Sequence, residues 1–379
     1  MPPEQLRSHL ALALVPGLGP KLTRAVLERF GSPERARLAT AAELETIPLI
    51  GAKLASKLAQ GFRNVDVAAE WKRIQDHRIE LRIRGDADYP ARLETIESSP
   101  SLIYYRGSLP AQEPNAIGIV GSRSCTSYGR RMAEQIAAGL VRAGWTVISG
   151  LARGIDAHAH RGALDAEGRT IAVLAGGLSE IYPPEHDELA EEIVRNGAIL
   201  TETPMTVPPQ PGMFPARNRI ISALSRAIVV VEANERSGAL ITATHAAEQG
   251  REVFAVPGNA DSAASAGCLE LIRKGARLIR STADLLEDLR GIAPPDPIPK
   301  RVRTPSAPIA NLFEPPPQPP PMEPDQKAVW EALGDPRHAD VLSRELNKPM
   351  AELARLLMGM ELKKLIRRLP GNSYERRGP

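Results

Sequence analysis

Between residues 116 and 256, six short apolar runs alternate with helical patterns. Nothing else constrains the fold of this 379-residue chain as much. The runs are 116–120, 145–148, 170–174, 198–200, 227–231 and 252–256, all enriched in β-branched residues. Helical patterns at 130–143, 155–166, 186–196, 220–225 and 240–249 separate most of them. A helix between two strands carries the chain back to the end where the first strand began, so successive strands run parallel. The spacing therefore predicts an α/β fold: a doubly wound, mostly parallel sheet with helices on both faces. In such sheets ligands bind beyond the carboxyl ends of the strands. There each run gives way to Gly121-Ser122, Ser149-Gly150, Gly176-Gly177, Thr201-Glu202, Glu232-Ala233 or Pro257-Gly258. Mostly small residues let a ligand approach backbone, so one cleft is expected to gather the functional groups.

Three of these turns share a style. Gly121-Ser122-Arg123 leads into a helix, as do Ser149-Gly150 with Arg153, and Arg236-Ser237-Gly238 with Thr242. Small residues, an arginine fork and a helix N-terminus suit an oxyanion. A fourth element, Phe214-Pro215-Ala216-Arg217-Asn218-Arg219, sets two arginines and an asparagine beside an aromatic ring. That is the chemistry of a nucleic-acid backbone with base stacking. The same residues also read as salt bridges from Arg217 and Arg219 to local carboxylates, with Phe214 in the core. Glu232 ends an apolar strand inside the cleft, as a general base or as a partner orienting Arg219 or a backbone amide.

Several chemistries are excluded or disfavoured. Two cysteines, Cys125 and Cys268, allow neither a disulfide framework nor a thiolate zinc site. No P-loop, no G-x-G-x-x-G after the first strand and no G-x-S-x-G elbow occur. Asp156 and His160 share a helix face but His158 points away, so capping and packing are preferred over metal binding. No metal, cofactor or catalytic residue is expected. Lys plus Arg is 48 against 45 Asp plus Glu, so any basic character is local. The N-terminal apolar run is too short for a signal segment, and no run approaches the ~20 residues of a membrane span. A cytoplasmic protein is expected.

The flanks differ from this body. Residues 294–324 hold 13 of the 35 prolines, which predicts a stiff linker. Near the N-terminus, Val15-Pro16-Gly17-Leu18-Gly19-Pro20-Lys21-Leu22 is echoed by Ile47-Pro48-Leu49-Ile50-Gly51-Ala52-Lys53-Leu54. Each is a turn leading into an amphipathic helix, a pair of helix-hairpin-helix units. They read as nonspecific DNA contacts through Lys21 or Lys53, or as mere packing or partner docking. Residues 325–379 read as three helices and a ribbon, a winged-helix pattern. Its third helix, the recognition helix of the pattern (350–360), is apolar over much of its length, so DNA contact and protein docking stay equally open.

The motifs of the body, taken together, resemble the DNA-processing protein A family, DprA or Smf. They are Ile-Val-Gly-Ser-Arg-x-x-Thr-x-Tyr-Gly (119–129), Ser-Gly-Leu-Ala-Arg-Gly-Ile-Asp-x-x-Ala-His (149–160), Phe-Pro-x-Arg-Asn-Arg-Ile-Ile (214–221), Val-Glu-Ala (231–233), Ser-Gly-x-Leu-Ile-Thr (237–242) and Arg-Glu-Val-Phe-Ala-Val-Pro-Gly (251–258). The resemblance implies an extended Rossmann fold that binds single-stranded DNA, dimerises and passes the strand to RecA in natural transformation, with no catalysis. It places the DNA pocket on Gly121, Ser122, Arg123, Ser149, Gly150, Arg153, Phe214, Arg217, Asn218 and Arg219, with Glu232, Ser237, Gly238 and Thr242 in support. The expected domains are 1–62, a connector 63–85, the body 86–293, the linker 294–324 and the winged-helix piece 325–379. A rival is a Rossmann-type nucleoside monophosphate phosphoribohydrolase. Its Gly-Gly-x-Gly-Thr-x-x-Glu turn corresponds here to Ser-Gly-Ala-Leu-Ile-Thr, with no glutamate in that spacing.

Overall fold

The computed structural model describes residues 4–290 and 324–376, apart from 334–336, 347, 364 and 370–372. The predicted proline linker therefore lies outside the described residues, save Pro324. The chain divides into two compact units, residues 1–299 and 300–379.

The first unit opens with helices α1 (Glu4–Ala13), α2 (Pro20–Phe30), α3 (Pro33–Arg37), α4 (Ala41–Glu45), α5 (Ala52–Asn64) and α6 (Val67–Asp76). The two echoed motifs form the turns before α2 and α5. In the first, Gly17 adopts φ +93°; in the second, Leu49 occupies the matching position at φ +76° with its side chain exposed. Val15, Leu18, Val26, Ile47, Ile50 and Leu58 from both hairpins share one buried cluster.

A nine-stranded sheet follows, built from β1 (Glu80–Ile83), β2 (Leu102–Gly107), β3 (Ala116–Val120), β4 (Thr146–Ser149), β5 (Thr170–Val173), β6 (Ala198–Thr201), β7 (Ala227–Val230), β8 (Glu252–Ala255) and β9 (Arg277–Leu278). Its order is β1-β2-β6-β5-β4-β3-β7-β8-β9. The six predicted strands are present within one residue at each end and pair in parallel. The sequence reading did not assign β1 and β2, which close one edge antiparallel. The helices between strands are α7 (Ala91–Glu94), α8 (Ser127–Arg142), α9 (Ile155–Asp165), α10 (Asp187–Asn196), α11 (Met213–Leu224), α12 (Gly238–Glu248) and α13 (Ala266–Arg273), with α14 (Thr282–Arg290) at the end. Central strands β3, β4, β5, β6 and β7 are buried on both faces, as their near-continuous apolar runs require. Two apolar clusters sandwich the sheet. One is built around Ile148, Ile171 and Ile220, the other around Ile119, Val147 and Ile136.

The chain winds outward from β3 through β4 and β5 to β6, then crosses by α11 to β7 on the other side of β3. The gap between β3 and β7 is thus the point where winding direction reverses, and crevices open at such points.

One core histidine gives a pH test. His160 is fully buried, with Nδ1 2.7 Å from the Thr170 hydroxyl. That hydroxyl donates its proton to the Val147 carbonyl, so His160 carries its hydrogen on Nδ1 and donates it to Thr170. Burial pushes the imidazole down to about 3, helped by His186 and Arg217 nearby. Below its ordinary value of 6.5 the unfolded chain binds a proton that the folded chain refuses. Stability is therefore expected to fall as pH drops from 6.5 toward 3, with a limiting slope of about 1.4 kcal/mol per pH unit from this group. Urea unfolding of wild type and His160→Asn across that range checks it; equal slopes in both would refute it.

In the second unit, α15 (Pro324–Ala332), β10 (Arg337–His338), α16 (Ala339–Glu345), α17 (Met350–Leu362), β11 (Ile366–Leu369) and β12 (Ser373–Arg376) form three helices and a small antiparallel sheet. Val329, Leu342, Leu353, Leu357 and Ile366 make its core. This matches the winged-helix reading and accounts for the apolar face of α17.

Candidate nucleic-acid interface

The crevice at the switch point is a cavity of about 780 Å³, walled by the turns after β3 and β7 and by the start of α11. A smaller pocket continues it across the ends of β4 and β5 and shares Arg123, Ala152, Tyr182, Phe214 and Arg217 with it. Arg123, Arg153 and Arg217, expected from the sequence to face one site, line this continuous cleft.

Their roles differ. Arg123 is exposed and forms no ion pair among the described residues; its guanidinium stacks 4.6 Å from the centre of the Phe214 ring. Phe214 is half-buried rather than core, and the Tyr182 ring lies 6.0 Å from it, tilted by 56°. Arg153 sits 5.9 Å from Tyr182 and is held by a two-pronged ion pair to Glu185. Arginine, phenylalanine, tyrosine and arginine thus form a row along the rim. Cations and π-faces in alternation offer both phosphate and base contacts. Tyr182 was not among the sequence candidates, because its loop carries no turn motif and follows the strand by several residues.

Arg217 is buried on the floor. It donates to the Gly150 carbonyl at 2.6 Å and to the Val173 carbonyl, at the ends of β4 and β5. Desolvation pushes this guanidinium down to about 10, and Asp156 partly offsets that. Parallel strands end in outward carbonyls that would repel an anion; Arg217 covers two of them. Gly150 makes this possible, since a Cβ there would lie 2.5 Å from the guanidinium. Asn218 accepts from Arg217 Nε at 3.2 Å and donates to the Gly238 carbonyl at 3.3 Å, tying α11 to the start of α12.

Three predicted residues face inward instead. Ser149 is fully buried and donates to the Ile119 carbonyl at 2.6 Å. Arg219 pairs with Glu202 at 2.6–2.7 Å and donates to the Ser98 carbonyl, so the salt-bridge reading holds for it. Glu232 accepts from the Thr126 amide at 2.7 Å and its hydroxyl at 2.8 Å, capping α8. Both its oxygens are occupied, which fits amide orientation rather than base chemistry.

These contacts also settle which helix N-termini are open. Glu232 supplies the negative charge at α8. Asp156 does so at α9, accepting from the Gly150 amide at 3.1 Å. Of the three helix starts predicted from the sequence, that of α12 alone has no carboxylate on it among the described residues: Ser237 and Gly238 line the cleft, with Thr242 one turn on. Ser237 Oγ satisfies a single amide, that of Ala239. Beside it stands exposed Arg236, which forms no ion pair among the described residues. Arg236 belongs in the site; its turn was recognised in the sequence but the residue itself was not selected. Gly121 and Ser122 complete the wall opposite. The histidines do not converge: His158 meets Glu134 at 2.7 Å, while His160 meets Thr170.

Fold and cleft together define an extended Rossmann-type protein with an arginine- and aromatic-lined switch-point crevice, carrying a helix-hairpin-helix tandem and a winged-helix domain. The family model for DNA recombination-mediator protein A matches residues 80–290, that for the DprA winged helix domain matches 313–372, and that for a SAM-like helix-hairpin-helix tandem matches 10–64. The chain belongs to the DprA/Smf family of DNA recombination-mediator proteins. It is 42% identical over 287 residues to Protein Smf of Synechocystis sp., covering 75% of this chain and 72% of that relative. The X-ray structure of DNA processing protein A from Streptococcus pneumoniae aligns with a TM-score of 0.66 and 33% identity, over 74% of this chain and 97% of that one. A Helicobacter pylori structure, described by its single-stranded DNA binding mode, aligns at 0.51 and 27% identity over 57% and 98%. No helix among the described residues is long and apolar enough to cross a membrane.

Proposed function

We propose that this chain binds single-stranded DNA in the switch-point cleft and, as a pair of copies in the cytoplasm, hands the strand to RecA during natural transformation. The DNA-contacting set is Gly121, Ser122, Arg123, Gly150, Arg153, Tyr182, Phe214, Arg236, Ser237 and Gly238, held in place by Arg217, Asn218 and Glu232. One observation carries the reading. Two guanidiniums with no ion pair among the described residues, Arg123 and Arg236, flank an α12 N-terminus that carries only its Ser237 cap, beside the Phe214–Tyr182 pair. The family description and the ligand named for the Helicobacter pylori protein support the same choice. Guanidiniums, a helix start and ring faces offer phosphate and stacking contacts, so binding is expected to be sequence-tolerant.

The hydrolase alternative finds less support, because Glu232 is held at α8 by the Thr126 amide and hydroxyl. Titrating full-length protein with oligo-dT at several salt concentrations tests the proposal. Log affinity should fall linearly with log salt, by about 0.7 for each phosphate neutralised, and duplex of equal length should bind more weakly. Salt-independent binding, or a preference for duplex, would count against it.

A further inference from the structure

At the opposite, amino-terminal end of the same sheet lies a second cationic cavity. It measures about 390 Å³ and is lined by Arg92, Arg226 and Arg251, with Pro90, Pro110 and Pro114 among its walls. Its place follows from the topology. Arg226 and Arg251 are the residues immediately before β7 and β8, Pro114 lies two residues before β3, and Arg92 comes from α7. The cavity is therefore separated from the switch-point cleft by the full length of the strands.

We propose that this cavity is a second anion site, which takes a phosphate group through the forks of Arg92 and Arg251 with Arg226 beside them. All three side chains are half-buried. Arg92 and Arg251 form no ion pair among the described residues. Arg251 makes a long bond to the Thr95 hydroxyl at 3.3 Å, and its Nε is buried with no hydrogen-bond partner. Arg92 reaches only the Pro114 carbonyl, at 3.4 Å. Arg226 is steadied by the Trp145 ring, 5.9 Å away. One carboxylate, Glu113, stands in the cavity wall, with its two oxygens held by Arg169 and Thr146, and Glu252 pairs with Arg277. Burial together with Arg226 and Arg251 pushes Arg92 down to about 10, which is the electrostatic cost of holding these charges close. Arg92 and Arg251 are held close with no ion pair of their own among the described residues, and a bound oxyanion would convert that repulsion into paired, charge-assisted bonds. No aromatic ring is among the described residues lining the cavity, so a base would find no stacking surface there. Recognition is of phosphate alone, either from a strand long enough to run from one end of the sheet to the other or from a free phosphate compound.

The test uses full-length protein carrying Arg123→Ala and Arg236→Ala, so that the cleft does not mask the signal. Inorganic pyrophosphate, titrated by calorimetry at constant ionic strength, should bind this variant. Adding Arg251→Met or Arg92→Met should weaken it at least tenfold without lowering the melting temperature. Unchanged pyrophosphate affinity in those variants, or no binding at all, overturns the proposal. In otherwise wild-type protein, Arg251→Met should leave short oligo-dT binding as it was. If it weakens only long oligo-dT, the phosphate comes from the strand; if long oligo-dT is also unaffected while pyrophosphate binding is lost, it comes from a free compound. Failure of the cleft reading would show in Arg123 and Arg236 variants with intact oligo-dT binding, and so is separable from failure here.

Discussion

Replacing Arg123 and Arg236 together by alanine is expected to weaken oligo-dT binding by about 100-fold and to reduce the log–log salt slope by about 1.4. The slope follows from losing two phosphate contacts at about 0.7 each for single strands. The affinity follows from two charge-assisted bonds of about 1.5 kcal/mol apiece, at the lower end of their range. Both side chains are exposed and bear no ion pair among the described residues, so the melting temperature should not change. Arg123→Ala has a further consequence. It removes the cation stacked on Phe214, so a base loses both a phosphate anchor and part of the platform next to it. Fluorescence anisotropy with labelled oligo-dT at three salt concentrations reads both quantities. A doubly substituted protein that keeps the wild-type slope would remove these arginines from the DNA path.

How much of this was legible in the sequence varies by element, and the reason is physical each time. Strands β3 to β7 were readable because both faces are buried, which leaves continuous β-branched runs between turn residues, and β8 keeps enough of that pattern to be read with them. Strands β1 and β2 were not, since they stand outside the strand–helix alternation and β1 is mostly half-exposed. The start of α11 was placed seven residues late, at 220 instead of Met213. Pro215 suggests a break, yet it lies in the first helical turn, where a missing N–H costs nothing. That shift decides the fate of the arginines. On a helix, positions 217 and 219 are about 200° apart, so Arg217 turns to the carbonyls of Gly150 and Val173 while Arg219 turns to Glu202. Read as a loop, the segment allowed both to face DNA. The three helix N-termini were equally visible, but whether each is open depends on carboxylates supplied from elsewhere. Glu232, distant in sequence from α8, closes that one.

Arg217→Met is expected to destabilise the protein by about 3 kcal/mol, the lower end of the range for leaving a buried charge uncompensated, since Arg217 and Asp156 interact without a direct ion pair. Arg217 and Asp156 are both buried, and each is the other's main compensating charge. Burial already pushes the Asp156 carboxyl above its ordinary value; without the guanidinium it loses its main compensating charge and keeps neutral donors such as the Gly150 and Ala152 amides. The substitution also uncovers the carbonyls of Gly150 and Val173 at the cleft floor. Asp156→Asn removes the charge but keeps the shape, so the double variant should recover part of the loss. A coupling of more than about 1 kcal/mol in the urea-unfolding cycle would establish the pair. DNA binding should weaken in Arg217→Met even where the protein remains folded, because two exposed carbonyl dipoles then face the phosphate. If instead Arg217→Met melts with wild type and loses only affinity, its guanidinium contacts DNA directly and the floor is built some other way.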